Sequence, residues 1–289
     1  MKTSELLKKV RHIEIKAKGL SRNIFAGEYH SAFKGRGMAF SEVREYQFGD
    51  DLRDIDWNVT ARYNRPFVKI FEEERELTVM LLIDVSQSLG FGSAEKVKRD
   101  VVAEIAATLA FSAIQNNDKI GVIFFSEQIE KFIPPKKGRK HILYIIREIL
   151  GFEPEKNGTD IGLALQYMTN AIKKRCTAFL ISDFIDIKNY KQPLKIANNK
   201  HDIAAIQVYD KLSTQLPSLG LLKVRDPESG GDMWIDSSSK RVRNNYAKWW
   251  RDRQNEMDTT FKQSSVDNVS VSTNDDYVKA LLSLFQRRR

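Results

Sequence analysis

Leu77-Thr78-Val79-Met80-Leu81-Leu82-Ile83-Asp84-Val85-Ser86-Gln87-Ser88 is an apolar run that stops at one carboxylate and two hydroxyls. Aliphatic and β-branched residues without polar alternation predict a parallel strand covered on both faces. In open α/β sheets ligands bind beyond the carboxyl ends of such strands, so the Asp-x-Ser-x-Ser tail is delivered to the edge where ligands are met.

Downstream of this strand, helical repeats and apolar runs alternate as they do in βαβ units. Val97, Val101, Ile105 and Leu109, with Val102, Ala106, Ala110 and Ala113, predict a long helix ending at Asn116-Asn117-Asp118. Residues 120–125 read as a second buried strand, and residues 128–133 alternate and run into Pro134-Pro135, which predicts a hairpin-linked edge strand. A helix through Ile142, Ile146 and Leu150 leads to the loop 155–160, and a helix through Ile161, Leu165, Met168 and Ile172 follows. Residues 178–181 form a third parallel strand that ends in Ser182-Asp183, echoing the first, and residues 203–208 give a fourth after a helix near 191–199. Residues 211–238 break the alternation and read as a β-hairpin inserted at the sheet edge. Val242, Tyr246, Trp249, Trp250, Met257 and Phe261 make a broad helical stripe read as core, and a last βα pair through Val269 and Leu281 closes the domain.

Upstream, Leu6, Val10, Ile13 and Ala17 lie at helical spacing among Lys8, Lys9, Arg11 and Lys16, so a basic amphipathic helix is expected to pack on the domain. Residues 50–56 hold four carboxylates, a cluster that invites a metal reading; helix capping and neutralisation by Arg44, Arg53 and Arg62 explain it more simply. The organisation expected is therefore an N-terminal extension, 1–76, with a basic helix, Gly-rich loops and a short strand, packing on a main α/β domain, 77–289, with its insertion at about 211–238.

Composition narrows the function. The formal charge is +9, but residues 1–36 carry nine Lys/Arg against three Glu, and Arg287, Arg288 and Arg289 carry three more, so the body between is neutral. That excludes a nucleic-acid groove built into the fold and leaves two basic ends. The one cysteine, Cys176, cannot form an internal bridge and reads as a small residue leading into a strand. No run approaches the ~18 apolar residues of a membrane span, and the N-terminus has no signal-peptide core, so the expected place is the cytoplasm, with peripheral contact to the inner membrane left open for the basic ends.

The order of elements puts Asp84, Ser86 and Ser88 after one parallel strand, Thr159 in a helix-start loop and Asp183 after another parallel strand, all able to converge at one sheet edge. Alone, Asp-x-Ser-x-Ser is also a turn or cap pattern. The whole set resembles the metal-ion-dependent adhesion site of von Willebrand factor A domains. That resemblance covers residues 77–289 and implies a doubly wound, mostly parallel sheet, with Asp84, Ser86, Ser88, Thr159 and Asp183 holding Mg or Mn. Farther upstream, Gly35-Arg36-Gly37, Arg44-Glu45-Tyr46, Gly49-Asp50-Asp51-Leu52-Arg53-Asp54-Ile55-Asp56-Trp57 and Lys69-Ile70-Phe71-Glu72-Glu73-Glu74 resemble the bacterial family of unknown function associated with MoxR-type AAA+ ATPases. Many of that family carry N-terminal membrane-spanning helices, which this sequence does not show.

The donor types also make sense without the family. Mg²⁺ prefers six hard oxygens and keeps several waters. Three hydroxyls supply neutral oxygens, and two carboxylates offset the double charge and leave the ion attractive to a third carboxylate from a partner. The expected function is thus a non-enzymatic, Mg-dependent protein-protein interaction module, an adaptor or chaperone partner of a MoxR-type ATPase or its client. One alternative is a phosphatase or hydrolase using Asp84, although Ser86 stands where a haloacid-dehalogenase-type enzyme needs a second carboxylate. Nucleophile-elbow, phosphate-loop and His-Glu-x-x-His motifs are absent, and His12, His30, His141 and His201 are scattered surface or packing residues. Another alternative is a peripheral membrane or nucleic-acid binder acting through residues 1–18 and 287–289.

Overall fold

The structure, a computed structural model, describes residues 3–21, 38–73, 76–90, 97–186, 188–225 and 231–288. In chain order the elements are α1 (Thr3–Leu20), β1 (Met38–Glu45), α2 (Trp57–Tyr63), β2 (Phe67–Glu73), β3 (Thr78–Asp84), α3 (Lys98–Gln115), β4 (Lys119–Phe125), β5 (Ile129–Lys136) and α4 (Arg139–Gly151). Then come α5 (Ile161–Ala171), β6 (Thr177–Ser182), α6 (Lys191–Lys200), β7 (Asp202–Tyr209), β8 (Leu221–Arg225), β9 (Asp232–Asp236), α7 (Lys240–Gln263), β10 (Asp267–Ser272) and α8 (Tyr277–Arg287).

The main sheet has the order β10-β7-β6-β3-β4-β5, parallel throughout except for the antiparallel edge strand β5. This is the doubly wound, mostly parallel α/β arrangement that the apolar runs predict. From Val79 to Asp84 every residue of β3 is buried, because the strand is central and covered on both faces. Met80, Leu82, Ile123, Phe125, Ala178 and Leu180 pack on one face with Leu165 and Met168 of α5, Leu194 of α6 and Phe261 of α7. The alternate residues point to the other face, where Phe124 stacks on Phe152, just past α4. Where β4 meets the edge strand the backbones come close: a Cβ on Gly121 would lie 2.9 Å from both Ile133 O and Pro135 N. Only glycine fits there.

Contacts divide the chain into two compact units, one of residues 1–33 and 78–289 and one of residues 34–77. The sequence drew a single boundary at 76/77; the contacts draw two, and α1 falls within the main unit. It packs on α3 and α4 with Val10, Ile13 and Ala17 buried. Its charges are used in the same contact: Lys9 reaches Asp100 at 3.1 Å, Lys16 reaches Glu104 at 2.5 Å, and Arg139 reaches Glu14 at 2.6 Å. At the other end Arg288 pairs with Asp202 and Asp267. Among the described residues, Lys9, Lys16, Lys18 and Arg288 of the two basic ends are therefore ion-paired within the fold.

In the smaller unit β1 and β2 pair antiparallel around α2. Three of the four carboxylates in the acidic cluster are absorbed locally. Asp50 takes two bonds from Arg44 (2.7 and 2.8 Å), Asp51 pairs with Arg53, and Asp56 caps α2 through Asn58 N and Val59 N. Lys69, rather than the expected Arg62, is the cation beside Asp56, at 3.7 Å. The Gly35-Arg36-Gly37 motif and His30 lie outside the described residues.

Residues 211–238 hold the expected hairpin, β8 paired antiparallel with β9, which forms a two-stranded sheet of its own in the connection from β7 to the edge strand β10. One further expectation needs correction. The α7 stripe is core only at its C-terminal end, where Met257 and Phe261 are buried, while Trp249 is 40% exposed. Tyr246, Trp249 and Trp250 instead contact one another along the helix, with ring centroids 5.7 and 6.3 Å apart. Helical spacing marks an apolar stripe but not how far along the helix its partner layer extends. Among the described residues no helix is long and apolar enough to cross a membrane.

Candidate metal centre

The winding of the sheet reverses at β3, whose neighbours are β4 on one side and β6 on the other, and a crevice forms at the carboxyl ends of these strands. Parallel register sets Ile83 against Ile181, so Asp84 and Ser182 emerge side by side. Past Asp84 the chain turns at once into a short 3₁₀ turn, Gln87–Gly90. Ser86 N donates to Asp84 Oδ1 at 2.9 Å, and this Asx-type turn brings Ser86 and Ser88 to the same side with their hydroxyls 3.1 Å apart.

The second loop is tied to the first through the backbone, Gln87 N donating to Asn157 O at 3.2 Å. Thr159, buried two residues farther on, donates to Asp84 Oδ2 at 3.4 Å. Asp160 does what a helix-start residue should: its side chain caps α5 through Leu163 N at 2.8 Å, and Lys188 pairs with its other oxygen. The third loop leaves β6, where Ser182 Oγ donates to Asp84 Oδ2 at 2.6 Å and accepts from Phe184 N at 3.0 Å. Asp183 Oδ1 accepts from Ile185 N at 3.2 Å. Between them Phe184 adopts a left-handed backbone, φ 59°, uncommon for a residue with a bulky side chain and a mark of local strain at the site.

All five residues singled out in the sequence thus come to one sheet edge. Ser182 and Lys98 join them, and neither was singled out as a site residue. Ser182 was visible as the echo of the first strand end. Lys98 had a legible signal too, since it stands in helical register with Val101, Val102 and Ile105, at a position where the repeat demands an apolar residue. Its Nζ lies 2.9 Å from Asp183 Oδ2, and both side chains are almost completely buried.

Burial pushes the Asp84 carboxyl up to about 6, with repulsion from Asp183 as the second cause; bonds from Ser182 and Ser86 act the other way. Two buried carboxylates against one ammonium leave a net negative centre bordered by three hydroxyls. Among the described residues no group of three His, Cys, Asp or Glu is arranged to hold a metal. A cation here would depend on the Ser86, Ser88 and Thr159 oxygens, a hard, mostly neutral donor set suited to Mg²⁺ or Mn²⁺ rather than to zinc. The described histidines lie elsewhere: His12 is exposed, His141 bonds the Ile120 carbonyl, and His201 is buried against Cys176. Beyond Phe184 a cleft of about 440 Å³ is lined by Asp186, Tyr190, Arg253, Glu256 and Thr260, charges of both signs that select no ligand charge.

Residues 42–256 match the family model described as "Protein of unknown function DUF58". An uncharacterized protein of Mycobacterium tuberculosis, Rv1480, is 28% identical over 284 residues, spanning 97% of this chain and 89% of its own. Among solved structures, BatB from Bacteroides thetaiotaomicron superposes with a TM-score of 0.48 at 16% identity, covering 73% of this chain and 98% of its own. The SpRpn10 VWA domain gives 0.41 at 11% identity, covering 73% and 95%.

Proposed function

This chain belongs to the DUF58 family of proteins of unknown function, and from that premise we propose that it is a non-enzymatic protein-interaction module that engages an acidic residue of its partner through a bound Mg²⁺ or Mn²⁺. The observation that carries the reading is the convergence of Asp84, Ser86, Ser88, Thr159 and Asp183 at the switch point of the sheet, three hydroxyls to two carboxylates. These residues would hold the ion, and when bound it supplies a hard positive centre that attracts a further carboxylate oxygen.

The protein's own groups prepare that centre. Ser182 and the Ser86 amide fix the Asp84 carboxylate, and the Ile185 amide fixes Asp183. Among the described residues no histidine adjoins Asp84 to serve as a base, which favours binding over hydrolysis. The partner chemistry that fits is an exposed Glu or Asp, and the family resemblance suggests a MoxR-type AAA+ ATPase or its client, met in the cytoplasm.

The test is a binding titration between the purified chain and a purified MoxR-type ATPase from the same cell. Binding in Mg²⁺ is expected to be lost in EDTA and in Asp84→Ala. Equal binding under all three conditions rules out the metal-dependent reading.

A further inference from the structure

Lys98 is a buried charge in a place where nothing local accounts for it. It is the first residue of α3, where the positive end of the helix dipole disfavours a cation, and the preceding Val97 offers no side-chain cap. Its side chain is 5% exposed and its ammonium sits 2.9 Å from Asp183 Oδ2. Burying a lysine is costly unless it is paired, so the reason for this one lies in the two carboxylates at the ends of β3 and β6.

We propose that the Lys98 ammonium is the resident cation of the site, and that it and a divalent ion are alternative occupants competing for the Asp183 carboxylate. The inference rests on reading the cluster as a cation site and concerns what holds that site in its resting form. With Asp84 and Asp183 ionised and Lys98 in place the centre carries one net negative charge. A divalent ion added without displacing the ammonium would meet a like charge at the carboxylate it shares. Entry of the ion therefore requires the lysine to leave Asp183, and Lys98 sets the concentration at which the metal-bound form appears. A partner carboxylate that binds the metal-bound form lowers that concentration by mass action, without changing which group the ion must displace.

The experiment is a titration of the full chain with Mn²⁺, reading bound metal from the loss of the free-ion EPR signal, on the parent, Lys98→Met and Lys98→Arg. Lys98→Met is expected to bind Mn²⁺ about tenfold tighter or better than the parent, because a charge in direct contact with the ligand set is removed. Lys98→Arg keeps the charge and is expected to show no such gain. Should the methionine variant fold poorly, Lys98→Gln is neutral and still able to donate to Asp183, and it makes the same comparison. A second readout is the melting temperature, which Mg²⁺ is expected to raise more in the neutral variants than in the parent. Equal Mn²⁺ affinity in parent and neutral variants overturns the role of Lys98 and leaves the metal site standing. Absence of binding by all of them at millimolar Mn²⁺ overturns the metal site itself, and the competition with it.

Discussion

Asp183→Ala, in protein freed of divalent ions, is expected to lose about 3–5 kcal/mol of stability, the cost typical of breaking a buried pair from one side. That corresponds to a melting temperature lower by roughly 6–20 °C for a domain of this size class. The substitution strands the Lys98 ammonium, which is 5% exposed and has Asp183 Oδ2 as its carboxylate neighbour. Asp84→Asn is expected to behave differently, changing stability by no more than about 1 kcal/mol in either direction. Asp84 is a carboxylate that burial and Asp183 both penalise, and Asn keeps an oxygen to accept the Ser86 amide. Urea unfolding in EDTA near neutral pH measures both. Equal, large losses would mean that the Lys98 ammonium depends on both carboxylates alike, contrary to its placement on Asp183.

The next largest effect lies away from the site and depends on pH. His201 is completely buried, bonded through Nδ1 to Cys176 Sγ at 3.2 Å, with no hydrogen-bond partner for Nε2. Burial, reinforced by Lys200 and Arg175, pulls the imidazole down to about 4 from its ordinary 6.5. The same burial pushes the Cys176 thiol up to about 12, which leaves it inert, as a small residue leading into a strand should be. Because the folded value lies below the unfolded one, the unfolded chain takes up a proton that the native state refuses. The contribution is fully present above 6.5 and is lost as pH falls through the folded value near 4, about 3 kcal/mol in all. Urea unfolding of the parent and of His201→Leu across that window should show the acid-side slope flattened in the variant. Parallel curves would mean that the imidazole protonates in place.

The fold was legible because it is written in local terms. An all-apolar β3, the helical repeats after it and the proline-marked edge strand β5 each bear one reading, and their alternation leaves one class of sheet. The convergence of Asp84, Ser86, Ser88, Thr159 and Asp183 followed from chain order, since residues after parallel strands must meet at one edge. What escaped were properties that depend on the third dimension. Lys98 comes to Asp183 from 85 residues away in sequence, and periodicity names its buried position without naming its partner. The half-exposed Trp249 shows the same limit: an apolar stripe tells which face is apolar, not where along the helix the covering layer stops. The acidic stretch at 50–56 was ambiguous for the opposite reason, because carboxylates that cap helices and pair with arginines look in sequence like carboxylates that bind metal. Its hydrogen bonds resolve it as local architecture.

The central claim is that the five side chains beyond β3, α5's first loop and β6 form one cation site. Its most direct measurement is anomalous diffraction, at the manganese edge, from crystals equilibrated with Mn²⁺, using Lys98→Met beside the parent. The account predicts a single strong peak bounded by Asp84, Ser86, Ser88, Thr159 and Asp183, stronger in the variant at equal Mn²⁺ concentration. A peak placed elsewhere, or none at this cluster in either crystal, would contradict it.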